Sequence, residues 1–269
     1  MIKATLIFVF SLRLAGWSFC KSFTGVHDID HGTDVFIGVH YAFSPPRFYA
    51  PVPLSGDQGL SIASNPYSNR CYQIGFGASS TSSSKDCLTL EIIPPSKPRG
   101  TIDKSVIVCT VSTRSATKQL LLAYVFFHGH CESDNFNSGE KSEYDGCNLV
   151  KASIALGSPL LYIGVNYCLG FLGFPSGEEV ESHDALNLGL LDSRLSLNCL
   201  QQNIKFFGGD PNQLVVIGGQ GSGVDMGAYH LLENSDNTNG LFRGAILHSG
   251  SRTSSSPVPR PNHTEWQKH

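Results

Sequence analysis

The run Leu120-Leu121-Leu122-Ala123-Tyr124-Val125-Phe126-Phe127 contains no polar position. A strand with one solvated face alternates apolar and polar residues, so an unbroken run of this length reads as a strand buried on both faces. Leu160–Val165 has the same character, and Leu214–Ile217 and Gly244–His248 read as two more strands. Between them, Leu188, Leu191, Leu195, Cys199, Ile204 and Phe207 recur at near-helical spacing, which predicts a helix over 188–207. It stops at Gly208-Gly209-Asp210-Pro211. A second helix is expected over Ser222–Glu233. Asp34–Ala42 and Leu88–Ile93 add strands, while Pro-rich Tyr49–Pro53 and Ser/Thr-rich Ala78–Ser84 read as loops. Buried strands alternating with helices specify an α/β fold around a mainly parallel sheet.

At 269 residues and 41% apolar content the chain can bury one sizeable core. The net charge is −3 and Lys and Arg are scattered, which disfavours a nucleic-acid partner. Residues 1–20 read as a secretory signal, with Lys3 ahead of apolar Ala4–Leu12 and then small Ala15, Gly16 and Ser18. That apolar stretch is too short to span a bilayer, and no later segment is long enough. Eight cysteines suit an oxidising compartment. Asn262-His263-Thr264 is a glycosylation sequon. These features point to an extracellular protein. Residues 21–251 form the expected folded unit, followed by a Ser/Pro-rich tail over 252–269 without fixed structure. No internal repeat is present.

The chemistry-bearing stretch is Gly219-Gln220-Gly221-Ser222-Gly223, placed between a strand and a helix. Its glycines suggest a phosphate loop, but the lysine and Ser/Thr of that motif are missing. A second stretch, His128-Gly129-His130-Cys131-Glu132, follows the apolar run. His128, His130 and Cys131 match no zinc-ligand spacing with a fourth ligand, and no metal or cofactor is expected.

Several collinear segments resemble the type-B carboxylesterase and cholinesterase-like family. Phe36-Ile37-Gly38-Val39-His40-Tyr41-Ala42 with Pro45-Pro46 is similar to F-x-G-I-P-Y-A-x-P-P, and Lys85-Asp86-Cys87-Leu88-Thr89-Leu90 to E-D-C-L-x-L. Asn166-Tyr167, Gly170 and Leu172-Gly173-Phe174 resemble N-Y-R-x-G-x-x-G-F. Gly189-Leu190-Leu191-Asp192 resembles G-L-x-D, Asn203-Ile204 through Pro211 resembles N-I-x-x-F-G-G-D-P, and Ser249-Gly250-Ser251 resembles S-G-S. The resemblance covers about residues 30–251. It implies the N-terminal part of an α/β-hydrolase fold, broken off soon after the elbow helix and the strand that follows. It also implies a disulfide between Cys71 and Cys87.

Ester hydrolysis on this fold needs a serine on a strand–turn–helix elbow, G-x-S-x-G, with a histidine and an acid, and backbone amides for the oxyanion. Here the elbow position is Gly221, which has no nucleophile. Ser222 is a weak substitute, since Gln220 and Val224 stand where its flanking glycines would be. Glycine nonetheless accepts the strained elbow backbone. The family's H-G-G-G-F oxyanion loop corresponds to His128-Gly129-His130-Cys131-Glu132, so His130 and Cys131 replace glycines and leave the loop of Gly129, His130 and Cys131 degenerate. The family's acid and histidine lie further downstream, and His248 does not match that histidine. Cys131 and Cys147 are a second candidate pair, and the states of Cys109, Cys131, Cys147, Cys168 and Cys199 stay open. The pattern resembles the family's inactive adhesion branch of neuroligin, neurotactin, gliotactin and glutactin. It implies a secreted scaffold for a protein or matrix partner. The alternative is an active carboxylic-ester hydrolase or a fragment of one.

Overall fold

The computed structural model describes residues 26–54, 69–72, 83–96, 120–129, 146–219, 221–232 and 237–250. The leader over 1–20, Cys109, His130, Cys131, Glu132, Gln220, Asn262 and the tail over 252–269 lie outside the described residues.

The elements follow in chain order. The N-terminal part holds β1 (Val26–Asp28), β2 (Thr33–His40), β3 (Ala42–Phe43), β4 (Val52–Pro53), β5 (Arg70–Cys71), β6 (Ser83–Ser84) and β7 (Thr89–Ile93). Then come β8 (Leu121–Phe127), α1 (Cys147–Ala155), β9 (Leu160–Val165), α2 (Gly170–Gly173), α3 (Glu178–Ser182) and α4 (Leu188–Asn203). A 3-10 turn over Ile204–Phe207 leads into β10 (Gly209–Gly218), α5 (Ser222–Leu232) and β11 (Gly244–Leu247).

Among the described residues, seven strands form the main sheet in the order β1-β2-β7-β9-β8-β10-β11. β9, β8, β10 and β11 pair in parallel, whereas β1, β2 and β7 join by antiparallel ladders. The fold is the expected α/β arrangement, with the parallel strands gathered at one side. β9 lies on one side of β8 and β10 on the other, so the chain reverses its winding direction at β8. Ligand sites of open α/β sheets form at the carboxyl ends of strands flanking such a reversal.

The main core joins Val125 and Phe127 of β8 with Ile163 of β9, Val216 of β10, Leu197 and Leu200 of α4, and Met226 of α5. A smaller cluster on Ile93 and Tyr162 receives Cys147 and Val150 of α1, with Phe126 packed against it. β9 is buried on both faces, as expected. β8 departs from that expectation: Ala123, Val125 and Phe127 are buried, while Leu122, Tyr124 and Phe126 are only partly covered.

Other differences have local causes. The helix predicted over 188–207 is α-helical only to Asn203 and tightens into a 3-10 turn, with Gly208 at φ +91° ending it. β10 begins at Gly209, earlier than Leu214, because Gly209 pairs with Leu121 ahead of a bulge. The two loop expectations are corrected in part. Val52–Pro53 pairs with Ala42–Phe43, and Ser83–Ser84 pairs with Arg70–Cys71. The helix α1 was not legible, since its buried residues, Cys147, Val150 and Ser153, follow a three-residue spacing with few apolar members.

Candidate functional site

The reversal of winding at β8 brings its C-terminal end, Phe127-His128-Gly129, against the turn between β10 and α5. The amide of Gly219 donates to the carbonyl of Phe127 at 2.9 Å. A Cβ at Gly223 would run into the carbonyls of Phe127 and His128, and one at Gly219 would lie 2.9 Å from the Phe126 ring and 3.3 Å from the Gly129 nitrogen. These glycines let two backbones approach more closely than side chains allow.

Gly221 sits at the turn with φ +72°. Its carbonyl accepts from Val224 N at 2.9 Å and Asp225 N at 3.2 Å, which starts α5. The strand–turn–helix elbow is therefore formed around a residue with no side chain. Ser222 lies inside the first turn of α5 and is buried. His248 is exposed at the end of β11, where its amide donates to Gly218 O at 2.9 Å.

His128 is fully buried and stacks on Tyr167, ring centroids 4.5 Å apart and planes 17° from parallel. The Tyr167 hydroxyl donates to the His128 carbonyl at 2.6 Å. Neither ring nitrogen of His128 has a side-chain hydrogen-bond partner among the described residues. Burial drives its pKa down to about 3, so the ring is neutral at ordinary pH. Of the expected oxyanion loop, only Gly129 falls among the described residues.

A serine–histidine hydrogen bond does exist, but in the core. Ser193 Oγ lies 2.8 Å from His230 Nε2 where α4 meets α5, and both side chains are fully buried. Burial, and then Arg194, pull the His230 pKa down to about 4. The Ser193 hydroxyl also donates to Leu190 O at 2.9 Å. The pair ties two helices together and is closed to any substrate.

Cys71 and Cys87 form the expected disulfide. Asn166 Nδ2 anchors the segment beside it, donating to Thr89 Oγ1 at 3.2 Å and Asn69 O at 3.3 Å. Cys168, at the position of arginine in the N-Y-R motif, was not singled out from sequence. Its amide donates to Asp192 Oδ2 at 3.0 Å. Asp192 is 2% exposed and forms no ion pair among the described residues. Burial raises its pKa to about 6, partly offset by its hydrogen bonds from Cys168. One grouping of metal-ligating side chains occurs among the described residues, Cys71, Cys87 and Cys168, and two of its sulfurs are already bonded to each other.

Comparison with known proteins agrees with this architecture. Residues 24–268 match the model of the carboxylesterase family. The chain is 35% identical to secreted lipase 1 of Botryotinia fuckeliana over 66% of its own length and 28% of that protein. It is 32% identical to bovine (Bos taurus) thyroglobulin over 87% of its length and 8% of that protein. The crystal structure of Aspergillus niger EstA superposes with TM-score 0.65 at 32% identity, covering 82% of this chain and 38% of EstA. The chain thus spans less than half the length of the curated relatives it matches. With the reversed winding at β8, the glycine elbow and the family match over most of its length, the chain belongs to the carboxylesterase family.

Proposed function

We propose that this chain is a secreted carboxylesterase-family scaffold that does not hydrolyse esters at its elbow and instead binds an extracellular protein or matrix partner. One observation carries the reading. The residue at the centre of the elbow, Gly221, has φ +72° and no nucleophilic atom. Ser222, the neighbouring hydroxyl, is buried in the first helical turn. Secretion is supported by a relative named as a secreted lipase, by the leader-like residues 1–20 and by the sequon at Asn262. The test is direct. Purified protein is expected to show no turnover of a p-nitrophenyl ester and no stoichiometric labelling by a serine-directed phosphonate. Turnover together with labelling overturns the reading.

The second reading is a carboxylic-ester hydrolase, and the names of the relatives favour it over the scaffold. Two are named as secreted lipases and others as lipases, and the superposed structures include PNB esterases. It requires a nucleophile other than the elbow residue. Phosphonate labelling followed by peptide mapping separates the two, because labelling of Ser222 or of any other hydroxyl supports the hydrolase.

A further inference from the structure

The sulfur atoms of Cys71, Cys87 and Cys168 lie within 4.8 Å of one another. Cys71 and Cys87 are bonded, and Cys168 is a free thiol. The antiparallel ladder of β7 and β9 explains the third sulfur. It pairs Leu90 with Val165, and Asn166 N continues it by donating to Thr89 O at 3.0 Å. Beyond this point the chain turns at Leu88, with Thr89 N donating to Cys87 O at 2.8 Å, and the two segments leaving the ladder bring Cys87 and Cys168 together. The backbone therefore offers Cys87 two cysteine partners. Cys71 reaches it from the separate short strand β5, and Cys168 approaches it from the segment that follows β9.

We infer that the Cys71–Cys87 disulfide exchanges with Cys168, giving a second form of the protein with a Cys87–Cys168 disulfide and a free Cys71. The Cys168 thiol proton passes to the Asp192 carboxylate, which already accepts a hydrogen bond from the Cys168 side chain. The sulfur's electron pair then forms the bond to Cys87 Sγ. The Cys71–Cys87 bond breaks with its pair on Cys71 Sγ, and Cys71 takes up the proton. One disulfide and one thiol stand on each side, so no oxidant or reductant is needed.

Cys71 and Cys87 are each 1% exposed, which shuts out external thiols and leaves Cys168 as the sulfur within reach. A cavity of about 50 Å³ beside the three sulfurs and Asp192 gives the side chains room to move. Burial and the neighbouring carboxylate hold the Cys168 thiol mostly protonated, which makes the exchange slow. Its consequence is mechanical. In the first form β5 is fastened covalently to the segment leading into β7, and in the second it is released.

The experiment uses the intact protein, held at pH 8.5 and sampled from hours to days, beyond the minutes to hours usual for uncatalysed rearrangement because the attacking thiol is held protonated. Thiols are then trapped with N-ethylmaleimide under denaturation, and the chain is digested without reduction for peptide mass spectrometry. The expected result is a Cys87–Cys168 peptide that grows with time, with the label on Cys71 rising as the label on Cys168 falls. C168S is expected to abolish that peptide and keep Cys71–Cys87. C71S, oxidised with glutathione disulfide, is expected to join Cys87 to Cys168. Only Cys71–Cys87 with fully labelled Cys168 in the native chain, or Cys87 and Cys168 both labelled in folded C71S, overturns the inference. If C71S fails to fold, the native chain decides alone.

Discussion

Tyr167 holds His128 twice, stacking on its ring at 4.5 Å and donating its hydroxyl to its carbonyl at 2.6 Å. Both residues are fully buried. The contact fastens the end of β8 to the segment after β9, and so fixes the strand end that lies against the elbow. Tyr167→Phe keeps the stacking and leaves a buried carbonyl without its donor. The expected loss is about 1–2 kcal/mol of unfolding free energy. Urea denaturation with an unchanged midpoint would count against the clamp.

Gly221 tolerates φ +72° because it lacks a Cβ. Gly221→Ser restores a hydroxyl at the elbow but makes a β-carbon residue adopt the left-handed region. It is expected to destabilise the chain by roughly 1–3 kcal/mol and to yield no ester turnover. Thermal unfolding and a p-nitrophenyl acetate assay check both halves. A stable, active variant would show that the remaining groups of the site are in place.

Acid stability depends on three buried groups whose contributions oppose one another. His128 and His230 have folded pKa values near 3 and 4, below the ordinary histidine value. Their unfolded forms take up protons as pH falls below about 6.5, which the folded forms resist, so stability drops with acidification. Asp192 is the reverse. Its folded pKa is about 6, so the folded state keeps a proton that the unfolded state loses above about pH 4, and stability drops as pH rises from 4 to 6. In Asp192→Asn this opposing contribution disappears. The variant is expected to lose stability more steeply than the parent between about pH 6 and 4.5, by about 1.4 kcal/mol per pH unit, and to gain stability at pH 7. Denaturant midpoints that run parallel with pH in the two proteins would refute this.

Cys168 occupies a motif position filled by arginine in the family. Cys168→Arg brings a cation to the buried Asp192 carboxylate, which forms no ion pair among the described residues. The expected gain is about 1–3 kcal/mol at pH 7. The same change in an Asp192→Asn background is expected to gain nothing, because the charge it answers is gone. Equal effects in both backgrounds would assign the change to packing.

The disulfide closes a loop with a sequence separation of 16. Replacing Cys71 and Cys87 together by serine is expected to cost about 3 kcal/mol. Calorimetry of the folded double variant against the parent measures it.

Local signals made much of the frame legible. β9 and the start of α5 were readable because an apolar run and a strand–glycine–helix transition are consecutive in sequence. The identity of the elbow residue was fixed the same way, since Gly221 needs only its neighbours to be recognised. The disulfide came from the resemblance around Cys87.

The antiparallel pairing of β7 with β9 was decided only in three dimensions. It joins residues 69 to 75 positions apart, and hydrophobic patterning carries no register across that distance. The same ladder makes Cys168 a neighbour of Cys87 and leaves it beside Asp192. Likewise, Ser193 and His230 meet because α4 and α5 cover the same face of the sheet, and burial there makes the pair a helix tie. Sequence thus determined which residue stands at the elbow, while packing determined which sulfurs, carboxylates and rings stand around the sheet.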